Sequence, residues 1–264
     1  MIGKRTKILL VSFLFAGTIF CRASLMPVQG TAEQLEIERF LATAKVVAPP
    51  QASAAGRSDP WLVTLNDGRS TRRAIFKYID RPGGPLLSVS YKREIAAYVL
   101  SKLFGIDIVP PVVERSIQNT PGSLQIMDEG CITEAQRQQK GIVPGDPRRF
   151  ENAMDELRVF EHLSGTERPN LKDLLVHTDT WKVCRVDFSE GFVAKPELLP
   201  GPAVERCSRR LFERLGTVPD KALEDALRPY LRAPELEACL KRRTILVDRI
   251  RALIKEKGEA AVLF

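Results

Sequence analysis

The apolar residues of this chain change their period partway along, and that change constrains the fold more than any other feature. Between residues 61 and 127 they fall mostly in short, β-branched or alternating runs, the pattern of half-buried strands. From residue 146 onward they recur at three- and four-residue spacing, the pattern of amphipathic helices. Strands first and helices second predict an α+β chain, with a small antiparallel sheet set against a larger, mainly helical body.

The strand half starts at Trp61. Residues 61–65, the turn Asn66-Asp67-Gly68 and residues 71–77 form a hairpin signal, because an Asp-Gly pair supplies the backbone a tight turn needs. Residues 82–85, Pro-Gly-Gly-Pro, break the chain. Residues 91–104 predict a helix, with Ile95, Ala96, Val99, Leu100 and Leu103 in one stripe and Gly105 as its stop. Residues 106–115 are apolar around Pro110-Pro111, residues 119–122 read as a turn, and 123–127 as another short strand. Ahead of this sheet, residues 31–47 predict a helix with Glu33, Glu36 and Glu38 near its start, where the helix dipole favours acids. Residues 49–59 read as a loop or linker.

In the second half, Phe150, Met154, Leu157 and Phe160 form a core-facing stripe on a helix over residues 150–163. A lone strand is expected at 181–187, followed by helices near 204–215, 221–231 and 234–257. On the last of these Leu236, Leu240, Val247, Ile250 and Ile254 share a face. The Lys and Arg residues around the rest are interleaved with Glu235, Glu237, Asp248 and Glu256, as on a solvated surface.

The net charge of +7 points toward an anionic partner until it is divided by segment. Lys4, Arg5 and Lys7, the apolar run 8–21 and the small residues Ala23-Ser24 have the layout of a secretory signal cleaved after Ala23. The run is short of the about 20 apolar residues of a membrane span. An uncleaved inner-membrane anchor is the alternative, and Phe20 before Cys21 fits a lipoprotein signal poorly. Without residues 1–23, 36 basic residues face 33 acidic ones, an excess of only +3. No nucleic-acid partner and no stable membrane span are therefore expected of the exported, periplasmic or secreted form. The expected organisation is a signal peptide at 1–23, an N-terminal helix and linker at 24–58, a small sheet lobe at 59–128 and a helical lobe at 129–264.

Cys131, Cys184, Cys207 and Cys239 form an even set in an exported chain, and both disulfides and buried free thiols fit them. No CxxC pair occurs, and His162 and His177 are not at zinc-ligand spacing from any Cys.

Two lobes joined by a crossing segment leave a cleft, where ligands bind. Lys77 closes a strand and Glu94 lies in the first turn of the next helix. Kinases hold the phosphates of ATP with such a strand Lys, oriented by a helix carboxylate. Asp173, in a loop, and Asp187, at a strand end, suit Mg²⁺, which takes one or two carboxylates plus phosphate oxygens. The plain alternative is that Glu167 caps a turn, Asp173 opens a short helix and Asp187 ends a hairpin.

The stretches Ala74-Ile75-Phe76-Lys77, Tyr91-Lys92-Arg93-Glu94-Ile95-Ala96-Ala97-Tyr98, Val109-Pro110-Pro111-Val112, Gly122-Ser123-Leu124-Gln125 and Lys257-Gly258-Glu259-Ala260-Ala261-Val262-Leu263 carry a resemblance over nearly all of the chain after Thr31. It resembles an uncharacterised bacterial protein family with a protein-kinase-like, phosphoinositide 3-/4-kinase-like fold. The resemblance implies two lobes, with ATP and Mg²⁺ as cofactors. It makes Lys77 the phosphate-binding residue and Glu94 its partner, and places Gln125 and Met127 in a hinge, 125–128, beside the adenine. Asp187 becomes the main metal ligand, and Asp173 stands where a metal-binding Asn is expected. Glu167 takes the place of the catalytic Asp, one methylene longer, and Pro169 interrupts its loop. Displacing a catalytic group by about 1 Å costs on the order of a hundredfold in rate. Only Gly56 and Gly68 precede Lys77 after the linker begins, so no glycine-rich phosphate cradle is evident. The expectation is an exported kinase-like protein, either a weak phosphotransferase or a nucleotide-binding pseudokinase with an acceptor or protein partner. A non-catalytic interaction or structural protein of the cell envelope is the competing expectation.

Overall fold

In a computed structural model of the chain, residues 30–53, 59–81, 88–166, 170–198 and 200–264 are described; the expected signal peptide and Glu167 lie outside them. The first helix, α1 (Ala32–Thr43), is started by a capping box: Thr31 Oγ1 accepts from the Gln34 amide at 3.2 Å and Gln34 Oε1 accepts from the Thr31 amide at 2.9 Å. It ends earlier than the apolar pattern predicts, because the next residues become an edge strand, β1 (Lys45–Val46). The strands β2 (Gln51–Ala52), β3 (Trp61–Asn66) and β4 (Thr71–Lys77) follow. The expected β3–β4 hairpin forms, with Gly68 at φ +90° in its turn.

After the short pair β5 (Asp80–Arg81) and β6 (Val89–Ser90) comes α2 (Lys92–Phe104), stopped as expected at Gly105, which has φ +68°. β7 (Val112–Ile117) and β8 (Thr120–Ile126) then turn on Gln118 and Asn119, both left-handed. The turn lies earlier than residues 119–122, and the second strand is correspondingly longer. The main sheet runs β1-β3-β4-β8-β7, with β2 also paired to β3. Its register sets Lys77 opposite Ser123, and Ile75 opposite Gln125. Alternation then divides the faces. Ala74, Phe76 and Leu124 pack on Phe40 and Leu41 of α1, while Ile75, Lys77, Ser123 and Gln125 share the other face.

The remaining elements are β9 (Cys131–Thr133), α3 (Glu134–Gln139), α4 (Pro147–Ser164), β10 (Leu174–His177), β11 (Val183–Arg185), α5 (Arg209–Thr217), α6 (Asp220–Leu227), α7 (Ala233–Lys257) and α8 (Glu259–Val262). The strand expected to stand alone is paired: β11 lies on β10, and β10 on β9. Four residues of β10 are too few for periodicity to reveal. Asp173 directly precedes β10, so it does not open a helix.

The helix α2 belongs to the sheet half by sequence, yet its Ile95, Ala96, Leu100 and Phe104 share one buried cluster with Phe160 of α4, Leu211 of α5, Leu223 of α6 and Leu246 of α7. The last strand-like contact is at the C-terminus, where Cys207 forms a parallel bridge with Leu263. Cys131, Cys184, Cys207 and Cys239 are free thiols. Burial pushes Cys184 and Cys207 up to about 12. None of the described helices is long and apolar enough to cross a membrane.

Candidate functional site

Lys77 ends β4 on the face turned away from α1, and only 8% of it is exposed. Its Nζ lies 2.6 Å from Glu94 Oε1 and 2.7 Å from Asp187 Oδ1. Glu94, in the first turn of α2, also accepts the Phe188 amide at 3.0 Å (Oε1) and 3.1 Å (Oε2). Asp187 follows β11 with φ +62°, a left-handed conformation that costs a non-glycine residue about 1–2 kcal/mol. That turn delivers two groups at once, the Asp187 carboxylate to Lys77 and the next amide to Glu94. Ser189 Oγ donates to Asp187 Oδ1 at 2.7 Å, and the Phe188 ring is buried edge-on to Phe160 at 5.7 Å. Strand, helix and turn thus converge on one ammonium.

The electrostatics follow from this geometry. Burial opposes a charge on Lys77, but the Glu94 and Asp187 carboxylates outweigh it and hold its pKa above the ordinary value. Burial also works against Asp187, and Lys77 overcomes it, so Asp187 sits below the usual carboxylate range. Burial pushes Glu94 up against the pull of Lys77. Asp173 is pushed up by burial and then by the charge of Asp187.

The Asp173 carbonyl accepts the Val186 amide at 2.9 Å, fixing it beside the strand that leads to Asp187. Arg185, 2% exposed, reaches Glu161 at 3.0 Å and Asp173 Oδ2 at 3.8 Å. Among the described residues no three His, Cys, Asp or Glu side chains are grouped to hold a metal. Asp173 and Asp187 are the carboxylates that could hold Mg²⁺, which takes one or two carboxylates and completes its shell with water and phosphate oxygens.

In the expected hinge, Gln125 lies on the same sheet face as Lys77, 8% exposed, with Nε2 at 3.5 Å from the Pro110 carbonyl. The Ile126 and Met127 amides donate to the Pro111 and Arg73 carbonyls, at 3.1 and 3.0 Å. The Met127 N–H is thus taken by the sheet, and the residue is 36% exposed. At the near end of the sheet, Ala52 pairs with Trp61 and Trp61 with Phe76, the neighbour of Lys77. Of the connection between Ala52 and Trp61, residues 54–58, with Gly56, lie outside the described residues.

Glu167 and Pro169 are likewise outside the described residues, but the chain just before them is braced. Arg242, fully buried, donates to the carbonyls of Leu163 (3.2 Å), Val193 (2.9 Å) and Lys195. Gly165, at φ +64°, leaves no room above this guanidinium: a Cβ there would lie 2.7 Å from Arg242 Nη2. Sequence reasoning missed Ser189, and it missed Arg93, Arg185 and Arg242 because a basic residue in a helix or strand carries no local sign that it will be buried.

No family model and no curated protein matches the sequence. Solved structures do. A structure of hydra Fam20 with sugar has a TM-score of 0.62 at 15% identity, covering 90% of this chain and 93% of that one. A Golgi casein kinase gives 0.63 at 13%, covering 89% and 79%. The Helicobacter pylori proinflammatory kinase CtkA gives 0.51 at 8%, covering 82% and 98%. At such identities the likeness shows the fold alone, and that fold is two-lobed and kinase-like.

Proposed function

We propose that the chain binds a nucleotide together with Mg²⁺ in the cleft between its lobes, as an exported weak phosphotransferase or pseudokinase. The observation that carries this reading is the convergence of Glu94 and Asp187 on Lys77, since kinase catalysis needs both the strand Lys–helix Glu pair and the metal-binding Asp in place. Lys77 would hold the α- and β-phosphates, and Glu94 would orient it. Asp187 and Asp173 would hold Mg²⁺, which supplies charge neutralisation at the phosphate oxygens. Ile75, Gln125 and the Met127 side chain would border the adenine. Glu167 would position the acceptor hydroxyl or protein partner group, and its extra methylene lowers the expected rate.

Export rests on the layout of residues 1–23, and the likeness to a structure described as a Golgi kinase is in keeping with it. N-terminal sequencing of the exported form tests the cleavage after Ala23.

A second reading, a non-catalytic envelope protein with a degenerate kinase fold, is favoured by one observation: Asp187 Oδ1 is already shared by Lys77 and Ser189, so the cluster is hydrogen-bonded within itself without a ligand. Phosphoryl transfer to any acceptor, lost in Asp187→Asn and reduced in Glu167→Gln, supports the phosphotransferase. Nucleotide binding with no transfer supports the pseudokinase. Neither binding nor transfer leaves the envelope reading.

A further inference from the structure

In many two-lobed proteins the helix that carries the Glu partner can swing away from the Lys, and its position controls the site. Here the same helix, α2, is fastened along its whole length to elements other than the sheet. At its start Arg93, 4% exposed, donates through Nη2 to Glu235 Oε1 at 2.6 Å and to Ser88 Oγ at 2.6 Å. Its Nη1 donates to the carbonyls of Ser88 at 2.6 Å and Ser189 at 3.0 Å. Glu235 is itself fixed, because its Oε2 accepts the Arg232 amide at 2.9 Å in the capping box that opens α7.

Along its side, α2 is held by α1: Glu38 accepts from Tyr98 Oη at 2.5 Å and from Lys102 Nζ at 2.7 Å. At its end the Leu103 carbonyl accepts Arg214 Nη2 of α5 at 2.7 Å. Its apolar face completes the core of the helical lobe.

We propose that Arg93 is the positioning residue of the Lys77–Glu94–Asp187 cluster: one guanidinium ties the helix of Glu94 to α7 and to the turn that follows Asp187, so the cluster stays assembled without any ligand. Arg93 stands next to Glu94 in the chain, and Ser189 stands two residues after Asp187. A single side chain thus constrains both carboxylates that meet Lys77. Control by swinging of α2 is absent from such a design, because displacing the helix would break a buried ion pair and open the shared core.

The inference rests on the nucleotide reading only for its effect on binding, and the experiment separates the two. Amide hydrogen exchange of the full chain is measured without ligand, in the wild type, Arg93→Met and Glu235→Gln, followed by affinity for an ATP analogue with Mg²⁺. The wild type is expected to protect α2 as strongly as α7. Both variants are expected to speed exchange at the Phe188 amide and the first turn of α2 roughly tenfold or more, with α7 beyond its first turn unchanged, and to weaken Mg²⁺–nucleotide binding about tenfold. Glu235→Gln keeps the shape of the contact and serves where Arg93→Met does not fold. Exchange in wild-type α2 as fast as in the edge strand β1, or variants whose exchange rises evenly over the whole chain, overturns the inference. Local exchange that rises in a chain whose wild type binds no nucleotide supports the positioning role and refutes the nucleotide reading.

Discussion

Lys77 and Asp187 are 110 residues apart in the chain and 2.7 Å apart in the fold, and Glu94 closes the contact from a third element. Removing the cation leaves the buried Glu94 carboxylate without its partner and facing the partly exposed Asp187. Lys77→Met is therefore expected to cost about 3–5 kcal/mol of stability in urea denaturation. Adding Glu94→Gln to it is expected to recover part of that loss. If the two single losses simply add, the pair is not energetically coupled.

Acid and base act on this cluster with opposite signs. Asp187 has a lowered pKa when folded, so its contribution is present above its unfolded value of 3.8 and is lost as pH falls through the folded one. Lys77 is raised, so its contribution is present below 10.5 and is lost as pH rises through the folded value. The stability gap between wild type and Asp187→Asn is thus expected to be flat at neutral pH and to shrink only below pH 3.8 on the acid side. A gap that closes between pH 5 and 7 contradicts this assignment.

Asp173 behaves in the reverse sense. Its folded pKa is raised, first by burial and then by Asp187, so the unliganded fold favours its protonated form and loses that contribution as pH rises through the folded value. In the proposed nucleotide site a divalent cation would take the place of the proton. Mg²⁺ with nucleotide is expected to raise the Tm more at pH 7 than at pH 4, and Asp173→Asn is expected to abolish most of that difference. An equal rise at both pH values counts against Asp173 as a ligand.

Two glycines with positive φ separate backbone strain from steric contact. At Gly68, with nothing within 4 Å of an added Cβ, alanine is expected to cost only the left-handed backbone, about 1–2 kcal/mol. At Gly165 the same substitution also drives a methyl into the buried Arg242 guanidinium. Gly165→Ala is expected to cost clearly more in thermal or urea denaturation. Equal losses contradict the brace that Arg242 gives the chain leading to Glu167.

The C-terminus holds the segment between Asp187 and α5. The Cys207 amide donates to the Val262 carbonyl at 3.0 Å, the Phe264 amide to the Cys207 carbonyl at 3.2 Å, and Val262 is fully buried. Deleting residues 262–264 is expected to cost about 3 kcal/mol or more, from the apolar surface of Val262 and Leu263 alone. Unchanged stability contradicts the bracing role.

Local chemistry was legible in the sequence where it repeats or punctuates. The β3–β4 hairpin followed from Asn66-Asp67-Gly68, α2 from its stripe and Gly105, and α7 from Leu236 to Ile254. Of the candidate site, Lys77, Glu94 and Asp187 were readable as charges at element ends, and the fold brings those three together. Short elements were not legible: β10 has four residues and β9 three, too few for a period to show. The buried cations Arg93, Arg185 and Arg242 were invisible because their environment is made by segments distant in sequence. The Glu235 that meets Arg93 is 142 residues away, on a helix whose charged positions read as solvated. The membership of α2 in the core of the helical lobe was hidden for the same reason, since an apolar stripe does not say what it faces.

Calorimetric titration of the chain with a non-hydrolysable ATP analogue, with Mg²⁺ and with EDTA, for wild type and Asp187→Asn, tests the central claim most directly. One saturable site is expected, strengthened by Mg²⁺ and weakened at least about tenfold in Asp187→Asn. No binding in the wild type, or binding indifferent to both Mg²⁺ and Asp187, would contradict a nucleotide cleft built around Lys77.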